Sequence, residues 1–228
     1  MRPLAFALAV ALAAPGLVGT SDERTEILAA RPLHVMYAHA AFEGTCALVD
    51  IERRATHLQL YFITSARFFK TAQGQPLAPA AEVRVTMNDG TDVNVLREHR
   101  YLPIGDLVDI AVLRADVADD GLAAAAMGFT IPAPGHDLEV VAYDRGGTRQ
   151  IETQHIRFAS TRFVVGDRDL SNFACLGAPA IDGDEIVGLV SECEPGRAPL
   201  ITPLSVAFPF LARHIPGLAG RPTLREQP

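Results

Sequence analysis

The chain has 228 residues, with 20 Lys plus Arg against 27 Asp plus Glu and a formal net charge of −7. Apolar residues at 49% can build a sizeable core, and charged residues at 21% are near the globular norm, which excludes collagen, coiled coil and bulk disorder. The acidic balance argues against a nucleic-acid-binding protein, which carries a basic face or tail, and no internal repeat points to a solenoid or propeller.

Residues 1–19 read MRPLAFALAVALAAPGLVG. A charge at Arg2, an apolar run over residues 4–14 and a Pro-Gly break have the layout of a secretory signal peptide. The run is too short to span ~30 Å of hydrocarbon as a helix; a buried N-terminal helix is the competing reading. Cleavage fits the small-x-small pattern of Ala11-Leu12-Ala13, and fits a site near Gly19 less well. Cutting after Gly19 leaves 209 residues and a net charge of −8, because only Arg2 is lost. No later apolar run reaches 18 residues, so no integral membrane segment is expected in the mature chain. The expected location is secreted or periplasmic, where disulfides persist.

Three cysteines follow, Cys46, Cys175 and Cys193. An odd number in an exported chain leaves at least one unpaired or intermolecular, and their spacing does not select among the three possible pairings. No CxxC, HExxH or Cys/His spacing suggests a metal site. Neither metal nor cofactor is expected. The seven histidines (34, 39, 57, 99, 136, 155, 214) are scattered.

Short apolar or alternating runs predict strands at residues 33–37, 45–50, 58–64 and 82–87. Asn88-Asp89-Gly90 then supplies a hairpin turn, with a return strand at 91–96. Further strands are predicted at 108–113, 138–143, 150–158, 163–165 and 185–191, the last after the turn Asp182-Gly183-Asp184. Helix is scarce. The Ala-rich stretch 121–127 suggests one short turn, and 205–215 a C-terminal helix that Pro209 disturbs. Residues 217–228 form a polar, Pro-rich tail expected to be flexible. Turn signals at 8–12-residue spacing indicate an all-β sandwich, jelly roll or pair of barrels; periodicity does not decide among them.

Three segments, in order, resemble motifs of the trypsin-like serine peptidases. Thr64-Ser65-Ala66-Arg67 is similar to that family's Thr-Ala-Ala-His block at a strand end. Asp109-Ile110-Ala111-Val112-Leu113 resembles its Asp-Ile-Ala-Leu-Leu strand. Ala174-Cys175-Leu176-Gly177-Ala178-Pro179 resembles Gly-Asp-Ser-Gly-Gly-Pro, and the strand after it ends Val190-Ser191. The stretch 134–140 is also similar to the first strand of the family's second barrel. The resemblance covers about residues 30–216. It implies an all-β fold of two packed antiparallel β-barrels with a short C-terminal helix.

The departures from the family decide the expected function. A serine peptidase needs a hydroxyl nucleophile, a base that titrates near working pH, and a carboxylate that orients the base. The resemblance puts Arg67 at the base position, Asp109 at the carboxylate and Leu176 at the nucleophile. A guanidinium with a pKa above ~12 is no base, and Leu176 is no nucleophile. The oxyanion region, Ala174, Cys175, Leu176 and Gly177, keeps one glycine and has Ala at 174 and 178. The half-cystine that follows the family's His is Phe68, so Cys46 lacks that partner. No Ile-Val-Gly-Gly activation sequence stands near residue 30.

The expected molecule is therefore an exported trypsin-like pseudopeptidase that binds an unknown peptide or protein. Strand addition along the groove-side strand, Val190, Ser191 and Cys193, is one mode. Arg67 is expected to pair with Asp109; in the other arrangement Arg67 points to solvent and Asp109 takes backbone donors. The alternative function is a diverged peptidase or esterase using Cys175 or an unrecognised serine.

Overall fold

The computed structural model describes residues 29–70, 75, 77–101, 109–118 and 122–219; side chains of residues 97 and 99–101 are not described. The segment read as a signal peptide and residues 220–228 lie outside this set.

Among the described residues fifteen strands form two sheets, antiparallel except where one short strand joins the second. The first holds β1 (Ala30–Met36), β2 (Ala41–Arg53), β3 (Leu58–Thr64), β4 (Glu82–Thr86), β5 (Asp92–Asn94), β6 (Arg97–Tyr101) and β7 (Ile110–Val117), in the order β5-β4-β1-β2-β3-β7-β6. The second holds β8 (Ala126–Met127), β9 (Asp137–Tyr143), β10 (Arg149–His155), β11 (Phe158–Ala159), β12 (Val164–Val165), β13 (Pro179–Asp182), β14 (Glu185–Glu192) and β15 (Leu200–Pro203). Its order is β10-β9-β13-β14-β15-β12-β11, with β8 added to β14 in parallel. Both sheets curl, as the two packed antiparallel barrels expected from the resemblance do.

Local chemistry accounts for the turns. Gly90 takes φ +82° in the β4–β5 hairpin, where a side chain would be strained. Asp144 closes the β9–β10 hairpin, its Oδ1 accepting the N–H groups of Gly146 and Thr148 at 2.8 and 2.9 Å. Pro209 does not prevent the C-terminal helix, α1 (Phe208–His214), because it stands in the first turn, where its missing N–H has no intrahelical partner to lose. The preceding residues, Leu204–Ala207, form a 3₁₀ turn.

The Ala-rich stretch read as a short helix is not one. Residues 122–125 are irregular, and Ala126 and Met127 pair with Glu185 and Ile186 of β14. Gly217 and Leu218, counted above with the tail, are packed: Gly217 N–H donates to Asp50 at 2.7 Å and Leu218 is buried.

Among the described residues two apolar clusters hold the fold; period-2 alternation sorts the residues of β9 between them, and a register shift of β14 against β13 moves that alternation by one on β14. On β9, Leu138, Val140 and Ala142 face the interior of the second sheet, whereas Val141 and Tyr143 join the cluster built on β1, β2, β3 and β7. On β14, Val187 and Val190 face inward, while Ile186 and Leu189 face the first sheet. The second sheet is thus apolar on both faces along these strands, and its outer face seals the seam between the sheets. The Tyr143 hydroxyl crosses that seam and donates to the Ala30 carbonyl at 2.8 Å.

Candidate functional site

The candidate site lies on this seam and starts from the end of β3. The side chain of Ser65 caps the 3₁₀ turn Ala66–Phe69 by accepting Arg67 N–H at 3.1 Å. Because β3 and β7 are antiparallel with Thr64 opposite Ala111, the residue just before β7, Asp109, comes level with this turn. Ser65 Oγ donates to Asp109 Oδ2 at 2.7 Å, and Arg67 Nε lies 3.0 Å from the same oxygen. Lys70, from the end of the turn, places Nζ 2.9 Å from Oδ1, at ion-pair distance but without hydrogen-bond alignment. Asp109 is completely buried, so these groups substitute for the water it gave up.

Arg67 also reaches across the seam. Its Nη2 pairs with the Glu192 carboxylate, at the end of β14 in the second sheet. The cluster therefore contains two cations, Arg67 and Lys70, and two carboxylates, Asp109 and Glu192, and is formally neutral. The expectation that Arg67 pairs with Asp109 is met; Lys70, Ser65 and Glu192 were not foreseen as members. Lys70 is the chain's only lysine, and that rarity was the one available sign. Glu192 joins the cluster through a contact 125 residues apart in sequence, which no local pattern encodes.

Leu176 reaches the same region through its neighbours. Thr45 of β2 donates its N–H to the Leu176 carbonyl at 2.9 Å and its hydroxyl to the Ala174 carbonyl at 2.7 Å. Gly177 has φ +79°, and a Cβ there would lie 2.1 Å from Thr64 Oγ1 and 2.3 Å from the Thr45 carbonyl oxygen. The close approach of this segment to the end of β3 needs glycine at 177. Leu176 itself is half-buried against the first cluster. Ala174 N–H donates to the Tyr143 carbonyl at 2.7 Å, so it is spent inside the protein.

The cysteine pairing left open by the sequence is Cys175–Cys193, with Cys46 a buried free thiol whose pKa burial pushes up. This corrects the reading of Cys175 as a nucleophile, because its sulfur is held in a disulfide and presents no thiolate. Nor is Val190 an open edge. Its N–H donates to the Ala178 carbonyl, its carbonyl accepts Gly177 N–H, and β15 occupies its other side. Ser191 is buried and its hydroxyl faces the Leu200 carbonyl at 3.2 Å. Among the described residues no cluster of His, Cys, Asp and Glu is arranged to hold a metal ion, and no helix is long and apolar enough to cross a membrane.

By sequence the chain matches no family model and no curated protein. By structure it is similar to the serine endoprotease from Yersinia pestis (TM-score 0.61, 13% identity), covering 83% of this chain and 63% of that one. The chain thus spans less than two thirds of that protease. It is similar to the active form of a protease from M. tuberculosis (TM-score 0.61, 16% identity, 82% of this chain and 81% of that one). The scabies mite inactivated protease paralogue S-I1 superimposes equally well (TM-score 0.61, 13% identity, 84% and 96%). The fold is that of the trypsin-like serine proteases. Active and inactivated proteins share it, so the likeness leaves activity to be argued from the site.

Proposed function

We propose that the chain is an exported trypsin-like pseudopeptidase that binds a peptide or protein without hydrolysing it. One observation carries this: the position where the resemblance expects an imidazole base holds the Arg67 guanidinium, clamped between Asp109 and Glu192. A permanently charged group with two carboxylate partners accepts no proton from a nucleophile. Three further features agree. Leu176 offers no nucleophile. Ala174 N–H, one of the two donors assigned to an oxyanion hole, points instead at the Tyr143 carbonyl. Cys175 is disulfide-bonded, which also accords with export. Loss of base or nucleophile alone costs a peptidase roughly 10⁶ in turnover.

The same seam is where a partner would bind. With Val190 spent on its own sheet, strand addition by a partner is confined to residues 191–193 at the end of β14. The test is incubation of the whole protein with a fluorophosphonate probe and with a random peptide library read by mass spectrometry. The expected result is no labelled serine and no cleaved bond. Cleavage that disappears on substitution of one serine would replace the proposal with a hydrolase.

A further inference from the structure

The Arg67 guanidinium has more donors than its partners use. Nε faces Asp109 and Nη2 faces Glu192, and among the described residues nothing pairs with Nη1. A guanidinium carries five N–H groups in a planar fork suited to carboxylates. The Arg67 side chain is 34% exposed, so the unused edge is open to water.

Its two acidic partners are not equivalent. Asp109 is fully buried and also held by Ser65 and Lys70, and withdrawing it would leave Arg67 and Lys70 without the carboxylate they share. The Glu192 side chain is 27% exposed, and Glu192 is the last residue of β14, pairing with Leu200 of β15 just past a register shift between Val190 and Glu192. Breaking a partly solvated pair costs little. If Glu192 swings into solvent, the cluster keeps two cations and one carboxylate. A group that replaces it with favourable charge balance is another carboxylate, bound bidentate to the guanidinium.

We propose that Arg67 is the recognition residue of a carboxylate-binding site, where an acidic peptide displaces Glu192 from the guanidinium. Glu192 is the internal competitor: while it occupies Arg67 it bridges the two sheets, and its release opens residues 191–193 to the peptide backbone. The ligand chemistry is a peptide carboxylate, supplied by an Asp or Glu side chain or by a free C-terminus. This inference rests on the binding role proposed above and adds what is bound.

The experiment uses the whole protein, immobilised, and two random heptapeptide libraries, one with both ends capped and one with a free C-terminal carboxylate. Retained peptides are sequenced, and affinities of individual hits are measured for the wild type, Glu192→Gln and Arg67→Gln. Enrichment of Asp and Glu in the capped library identifies a side-chain ligand; preference for the uncapped library identifies a C-terminus. Either supports the proposal. Glu192→Gln should bind the hits about tenfold more tightly, the gain expected if Glu192 occupies Arg67 about nine-tenths of the time. Arg67→Gln should lose the acidic preference. Should Arg67→Gln fail to fold, Glu192→Gln decides, since it leaves the contacts of Asp109 with Arg67, Lys70 and Ser65 in place. Retention without acidic or C-terminal preference, no retention above background, or unchanged affinity in Glu192→Gln overturns the proposal. Cleaved peptides would instead overturn the pseudopeptidase reading, so the two failures are separate.

Discussion

Asp109 shows how a buried charge is tolerated: one hydroxyl and two cations from one turn of chain, Ser65, Arg67 and Lys70, converge on one carboxylate. Replacing it by Asn removes the charge and leaves Lys70, whose side chain is 12% exposed, without a carboxylate. Asp109→Asn is expected to cost about 3–5 kcal/mol of stability, read from urea midpoints. Lys70→Met combined with Asp109→Asn should cost less than the two singles added, because contacting charges are coupled. Strict additivity would mean that Lys70 contributes nothing to the site. Gly177 makes a second residue-scale case. Gly177→Ala carries the left-handed backbone penalty of about 1–2 kcal/mol and a clash with the Thr45 carbonyl oxygen that no side-chain rotation relieves. A melting temperature within a degree of wild type would show that the segment around Leu176 does not approach β3 so closely.

Among the elements, two connections in the second sheet are held by different chemistry. The Cys175–Cys193 bond closes a loop with a sequence separation of 18 that contains β13 and β14. Replacing both cysteines by Ala should cost about 3 kcal/mol, the chain-entropy value for a loop of this size, with Cys46 left as the only thiol. The β9–β10 hairpin depends on Asp144, whose carboxyl is held below the usual carboxylate range by the Thr148 N–H first, then by Gly146 and Gln150. A depressed folded pKa gives stability that is present above the unfolded value of ~3.9 and lost as pH falls through the folded one. Asp144→Asn should therefore be less stable than wild type at pH 6, and the gap in melting temperature should close as pH falls below about 4. A gap that persists at pH 2 would assign Asp144 a role other than its charge.

In the whole molecule, one apolar cluster draws on both sheets: Val141, Tyr143, Ile181, Ile186 and Leu189 pack with residues of β1, β2, β3 and β7. The sheets should unfold together, so near-UV and far-UV dichroism are expected to report one coincident urea transition. Two separated transitions would mean that the seam holds neither sheet to the other. Most strands were legible from the sequence because burial on one or both faces imposes a period of two or a short apolar run on any chain. The nature of the Arg67 and Leu176 positions was equally legible, since a guanidinium and a hydrocarbon have the same acid–base limits in every fold. Residues 122–127 of the Ala-rich stretch were misread because local composition favours helix, whereas a parallel bridge of Ala126 and Met127 to β14, invisible in the neighbouring residues, draws them to the second sheet. The cysteine pairing depended on two chain segments being brought together by β13 and β14, and the Glu192 contact on the meeting of two sheets. Sequence alone determined the elements and the chemistry each side chain can perform, because those are properties of single residues and short periods. Only the tertiary structure decided which charges share a site, because Coulomb and hydrogen-bond energies depend on distance, and packing sets the distances.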